Sequence, residues 1–237
     1  MMNSLRIDTM NSLRVAVTGG TSGLGLALVR ELRRRGARIA LVARNGERVA
    51  QIARGLPGTH GLVGDVARKE DIHPIALQIT AALGGLDVLV NNASSLGPTP
   101  LALLADTECE DFALALETNV LGPFRLTKAL LGALAASARE GRGALVLNIS
   151  SDAAVNAYAQ WGAYGASKAA LRHMSAIWNE ELAAEGVRFL SLDPGDMDTP
   201  LHALALPDAD PPTLKRPETA ARELADALAT ALAREHA

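Results

Sequence analysis

The sequence predicts a single doubly wound α/β domain built on a parallel sheet of six strands. Three observations carry this reading. Short apolar runs alternate with helical segments along nearly the whole chain, the runs are apolar throughout rather than at every second residue, and a glycine-rich turn joins the first run to the first helix. Continuously apolar strands indicate a sheet covered on both faces, and strict strand–helix alternation supplies the covering helices. A chain of 237 residues suits one such domain, since α/β folds of about 200–250 residues commonly form one.

The elements follow in order. Residues 14–18 (RVAVT) read as strand one, and residues 24–35 as a helix stopped by Gly36. Residues 38–43 form strand two and 47–54 the second helix. Residues 62–63 are a brief third strand, and 70–83 a helix ending at Gly84-Gly85. Residues 87–91 are strand four, and 108–118 and 120–138 are helical with a break near Asn119. Residues 144–149 are strand five, 161–185 a long helix and 188–193 strand six. A final helix spans 217–234, with Pro217 in its first turn. The string MNSLR occurs at 2–6 and again at 10–14, so residues 1–10 are set apart as a non-native or disordered extension. Residues 11–237 make the domain.

Composition narrows the function. Twenty-three basic against 26 acidic residues give a net charge of −3, and seven aromatics are too few for a base-stacking platform, which argues against nucleic acid. One cysteine, Cys109, rules out an internal disulfide framework. The five histidines show no metal-ligand spacing, so no metal is expected. No apolar run reaches 18 residues, so neither a membrane span nor a signal core is expected, and the cytoplasm is the expected location.

In folds of this class ligands bind beyond the carboxyl ends of the strands. There the turn TGGTSGLG, residues 18–25, follows strand one and opens a helix. Gly19, Gly23 and Gly25 permit close approach of backbone, and with Thr21, Ser22 and Leu24 they present helix N-terminal N–H groups to a pyrophosphate. The spacing is G-x3-G-x-G rather than the common G-x-G-x-x-G. At the end of strand two a carboxylate would bind the adenosine ribose hydroxyls; Arg44 stands there instead, a forked cation suited to a 2′-phosphate. The cofactor expected is therefore NADP(H).

Tyr164 and Lys168 stand four apart in YGASK at the start of the long helix, so they share one face. A lysine cation beside a phenol favours phenolate and brings proton exchange toward neutral pH. Ser151 ends strand five, where its hydroxyl would donate to a carbonyl developing negative charge. Asn119 sits at the helix break, where an opening would hold a water.

With these motifs the chain resembles the short-chain dehydrogenase/reductase family over nearly all of residues 13–234. The resemblance rests on TGGTSGLG, Asp65-Val66, NNA at 91–93, Asn119, NISS ending at Ser151, YGASK, and Pro194-Gly195 leading to Thr199. It implies a Rossmann fold and an Asn119–Ser151–Tyr164–Lys168 tetrad. Tyr164 would be the general acid in reduction and the base in oxidation. Lys168 would tune it and hold the nicotinamide ribose, Ser151 would polarise the carbonyl, and Asn119 would anchor a relay water. The resemblance also implies Asp65 and Val66 around the adenine, and Asn91 and Ala93 along the ribose side. Pro194 and Gly195 would flank the nicotinamide, with Thr199 near its carboxamide.

Two departures stand out. Ser94 replaces the glycine that usually completes NNAG. A seventh strand, which in the family contributes to a tetramer contact, is not seen, so a homodimer is expected. Residues 197–214 read as a short substrate lid, suited to a small or medium carbonyl compound or its alcohol. Trp161 reads equally as pocket lining or core packing, and His202 as a surface residue. Two other readings stay open: a nucleotide-sensing regulatory protein on this fold, and an epimerase or dehydratase using the same tyrosine and lysine.

Overall fold

A computed structural model describes residues 10–233. Six parallel strands form one sheet in the order β3-β2-β1-β4-β5-β6. They are β1 (Arg14–Thr18), β2 (Arg38–Ala43), β3 (Thr59–Val63), β4 (Val88–Asn91), β5 (Leu145–Ile149) and β6 (Arg188–Leu192). The chain runs outward from β1 to β3, then returns to place β4 on the other side of β1, with Val15 opposite both Ile39 and Val88. That reversal opens a crevice above the carboxyl ends of β1 and β4.

Burial confirms why the central strands read as continuously apolar. Every residue of β4 and β5 is buried, and only the first residue of β1 and of β2 escapes. On one face α1 (Gly23–Arg34) and α8 (Pro217–Ala233) pack through Leu28, Leu32, Leu224 and Leu228. On the other, α3 (Lys69–Leu83), α5 (Gly122–Arg139) and α6 (Gly162–Leu182) supply Ile79, Leu126, Leu130 and Trp178. Fully burying a Leu or Ile contributes about 1.5–3 kcal/mol, so these two layers hold the sheet.

The structure departs from the sequence reading in four places. Strand β3 is five residues long rather than two; it lies at the sheet edge with His60, Gly61 and Val63 exposed, which hides it from an apolar count. The break at Asn119 is one π-helical turn, Glu117–Leu121, between α4 (Cys109–Leu116) and α5. The lid contains a short helix, α7 (Pro200–Ala205), whose N-terminus is capped by Thr199 Oγ1 accepting from His202 N at 3.2 Å. Met10, set outside the domain with residues 1–10, is fully buried among the apolar residues packed on β1; residues 1–9 and 234–237 lie outside the described residues. The remaining helix, α2 (Gly46–Gly55), starts on the Asn45 side chain, which accepts from Arg48 N at 3.0 Å.

Below the sheet, at the end away from the crevice, a charge is buried. Asp87 is fully buried and accepts from Arg14 Nη2 at 2.6 Å, Ser137 Oγ at 2.6 Å and Arg142 Nε at 3.2 Å. Burial alone would raise its carboxyl; the bonds from Arg14, Arg142 and Ser137 outweigh it and hold the group below its ordinary value. The network ties β1, β4 and α5 together, so the opposite ends of the strands open over a fixed base.

Candidate active site

A cleft of about 910 Å³ lies over the carboxyl ends of β1, β4 and β5. Its floor is set by contacts between the loops after β1 and β4. Asn92 Nδ2 donates to Thr18 O at 2.9 Å and to Gly19 O at 3.2 Å, while Thr18 Oγ1 accepts from the N–H groups of Asn92 and Ala93. Gly19 has φ +67°, and a Cβ there would stand 2.8 Å from Ala93 Cα; at Gly25 one would meet Gly19 O at 2.3 Å. Only glycine permits that closure.

The glycine turn fits a pyrophosphate. Ser22 caps α1 without a side-chain bond and the first turn holds no acidic residue, so its N–H groups remain for an anion. Gly19, Thr21, Ser22, Gly23, Leu24 and Gly25 all line the cleft. At the far end Arg44 also lines it, exposed and 3.8 Å from Asp65 Oδ2, with Val66 alongside. Arg48 joins them, a second cation one turn into α2 that the sequence reading did not single out. Its signal was present, four positions after Arg44 on a helix whose N-cap is Asn45. Pro194, Gly195 and Thr199 line the other end, where Lys215 Nζ donates to Pro194 O at 3.0 Å and to Glu223 Oε2 at 2.8 Å.

The catalytic candidates converge there. Tyr164 and Lys168, both buried, come from the first two turns of α6, and Lys168 Nζ lies 5.4 Å from the Tyr164 ring centre while donating to Ile149 O at 2.8 Å. Ser151 follows β5; its Oγ donates to Asp152 Oδ1 at 3.1 Å and accepts from Ala153 N at 3.2 Å. The expected direction at Tyr164 is reversed. Burial pushes the phenol up to about 12, against a smaller lowering by the Ser151 and Ser94 hydroxyls. Burial likewise pushes the Lys168 ammonium down to about 8. Desolvation thus outweighs the effect expected of the lysine.

Two predicted residues lie behind the cleft wall rather than on it. Asn91 is buried and donates to Asn148 Oδ1 at 2.8 Å; its neighbour Asn92 takes the lining position. Asn119 is fully buried in the π turn. Its Oδ1 accepts from Ser95 N at 2.8 Å and Ser94 Oγ at 3.1 Å, and its Nδ2 donates to Ser95 O at 2.7 Å and Ser167 Oγ at 2.8 Å. Ala93 lines the cleft as expected. Trp161 both lines the cleft and packs edge-on against Tyr164, 5.7 Å between ring centres, and His202 lines the cleft from α7 rather than standing apart on the surface. Asp152, Asp193, Asp196 and Tyr158, none of them anticipated, line the cleft as well, and Tyr158 OH donates to Asp152 Oδ2 at 2.7 Å.

A doubly wound sheet, a glycine turn at its switch point and a buried tyrosine–lysine pair beside a serine define a dinucleotide-dependent oxidoreductase class. Residues 14–209 match the family model for short chain dehydrogenases, and the chain belongs to that family. It is 35% identical over 211 residues to bovine (Bos taurus) L-fucose dehydrogenase, covering 89% of this chain and 76% of that protein. Among solved structures it is similar to an alcohol dehydrogenase from Thermococcus sibiricus complexed with 5-hydroxy-NADP. That match has 28% identity and a TM-score of 0.80 over 92% of this chain and 91% of the other. The fold also matches a 3-ketoacyl-(acyl-carrier-protein) reductase from Brucella melitensis complexed with NADH, at 23% identity and TM-score 0.83 over 91% and 90% of the two chains. Among the described residues no helix is long and apolar enough to cross a membrane.

Proposed function

We propose that the protein is an NADP(H)-dependent oxidoreductase that interconverts a small or medium carbonyl compound and its alcohol. The observation that carries this reading is the meeting of Tyr164, Lys168 and Ser151 at one end of a cleft whose other end holds Arg44 and Arg48. The cofactor's residues fit: the uncapped first turn of α1 takes the pyrophosphate, and the arginines take a 2′-phosphate. A bound nicotinamide supplies or accepts the hydride. The chain's own groups do the rest. Tyr164 gives its phenolic proton to the carbonyl oxygen in reduction and takes it back in oxidation. Ser151 turns its hydroxyl from Asp152 to the same oxygen, where charge develops. Lys168, fixed by Ile149 O, holds the nicotinamide ribose, and Asn119 holds the cleft wall behind Tyr164. A nucleotide-sensing role needs no buried tyrosine–lysine pair, and an epimerase or dehydratase would need a larger substrate enclosure than the short lid around α7.

The charge-assisted bonds of Arg44 to a 2′-phosphate contribute roughly 1.5–3 kcal/mol, which predicts about a 10- to 150-fold preference for NADPH over NADH. The test is consumption of each reduced cofactor with a panel of aldehydes and ketones. NADPH is expected to be used at least about tenfold better, and Arg44→Ala to remove most of the difference. Equal use of both cofactors would contradict the preference, and no turnover with any carbonyl would contradict the activity. The same reading makes the protein a cytoplasmic homodimer, with the single cysteine exposed and free in keeping with a reducing compartment.

A further inference from the structure

A serine hydroxyl has one proton to donate, and the proposed chemistry asks Ser151 to move its proton from one acceptor to another. In the structure that proton goes to a carboxylate, with Ser151 Oγ 3.1 Å from Asp152 Oδ1. In the reaction it goes to the reacting oxygen, and Asp152 Oδ1 loses that donor. The other contacts need not change. Tyr158 OH donates to Asp152 Oδ2 at 2.7 Å, and Ser151 Oγ accepts from Ala153 N at 3.2 Å. An acceptor position is therefore freed directly beside the reacting group.

The backbone fixes where it lies. Asp152 opens the single turn Asp152–Ala154 after β5, and its carbonyl accepts from Val155 N and Asn156 N, both at 2.9 Å. Ala153 is buried with Tyr164, and a Cβ at Gly165 would stand 3.0 Å from Ala153 O, so this turn lies against the start of α6. Asp152 and Tyr158 both line the cleft.

We propose that the substrate is a carbonyl compound with a hydroxyl on the carbon next to the carbonyl, and that Asp152 selects it. The substrate hydroxyl donates to Asp152 Oδ1 as Ser151 turns its own proton to the reacting oxygen. The 3.1 Å between Ser151 Oγ and Asp152 Oδ1 is close to the spacing of gauche oxygens on adjacent carbons, so two protein groups meet two substrate oxygens. One hydroxyl thus replaces another at the carboxylate, and bonds to an ionised acceptor are the stronger kind. In reduction the carbonyl carbon takes hydride from the nicotinamide and its oxygen takes the Tyr164 proton. The neighbouring O–H bond stays intact, and the product is a vicinal diol. The selection rests on the proposed carbonyl–alcohol chemistry.

The test compares 3-hydroxy-2-butanone with 2-butanone as substrates with NADPH. Intrinsic reactivity differs within the pair but cancels when their ratio of kcat/KM is compared between wild type and variant. Loss of a hydrogen bond to a charged acceptor predicts that Asp152→Ala lowers this ratio about tenfold or more. Tyr158→Phe, which keeps the charge but releases Oδ2, is expected to lower it by less. A second arm needs no turnover: calorimetry of the NADPH-loaded protein with trans-1,2-cyclohexanediol and with cyclohexanol. Wild type is expected to bind the diol about tenfold tighter and Asp152→Ala to lose that margin. Equal binding of the two by wild type, or a ratio that Asp152→Ala leaves unchanged, would overturn the role of Asp152. Failure to reduce any carbonyl compound would instead overturn the underlying chemistry, so the two failures are distinguishable.

Discussion

Lys168 is 2% exposed, its ammonium is pushed down to about 8 by burial, and its Nζ donates to Ile149 O. The side chain that the proposed chemistry needs is therefore one the fold carries at a cost. Because the folded pKa lies below the unfolded value of 10.5, the unfolded chain binds more protons between about pH 8 and 10.5, and stability rises with pH across that window. Below about pH 8 the full cost is present. Tyr164, raised by burial, acts in the opposite sense above about pH 10, so the window is read below that. Lys168→Met is expected to melt higher than wild type at pH 7, by about 2–4 °C for each kcal/mol of relief, and to lose the rise between pH 8 and 10. Thermal melts at several pH values check this; a lower melting temperature at pH 7 would refute it. Tyr164 and Lys168 were legible because four-residue spacing on a helix is a local property of sequence. Asp152, Asp193 and Arg48 were not, since their approach to the cleft depends on how three separate loops fold over the sheet. Asn91 lies behind the cleft wall and Asn92 on it for a related reason: only the sheet's pleat decides which of two adjacent asparagines faces the cleft.

At the scale of elements, the central strands and long helices were legible because their apolar residues face two buried layers. Strand β3 and helix α7 were not, one half-exposed at the edge and the other only six residues long. The π turn was visible as a break at Asn119 but not as a turn that aims its amide at Ser94, Ser95 and Ser167. The proposed homodimer would be carried by the helices. Ile177 on α6 is 45% exposed, and α6 and α5 run 21 and 18 residues with small side chains between their larger ones. Pairing α5 and α6 with their copies about a two-fold axis would cover such a face. Light scattering at micromolar concentration is expected to give the mass of a dimer, and Ile177→Glu to shift it toward monomer. A monomeric wild type, or a dimer indifferent to Ile177→Glu, would count against this interface.

Across the whole molecule, charge is uneven along the cleft, with Arg44 and Arg48 outnumbering Asp65 at one end and Asp152, Asp193 and Asp196 outnumbering Lys168 at the other. The arginines would favour a phosphorylated ribose; the carboxylates would disfavour an anionic substrate at the reacting end. Between them the buried Tyr164 is the group on which the proposed chemistry turns, and removing its proton is the sharpest test of that chemistry. The measurement is the rate of NADPH oxidation by Tyr164→Phe against wild type, with the best carbonyl substrate found and NADPH binding followed in the same samples. A loss of about 10²–10⁴-fold in turnover is expected with NADPH affinity nearly unchanged, because the ring still packs while the transferable proton is gone. A phenylalanine variant that turns over within about twofold of wild type would contradict it, since general acid catalysis of that size would then come from elsewhere.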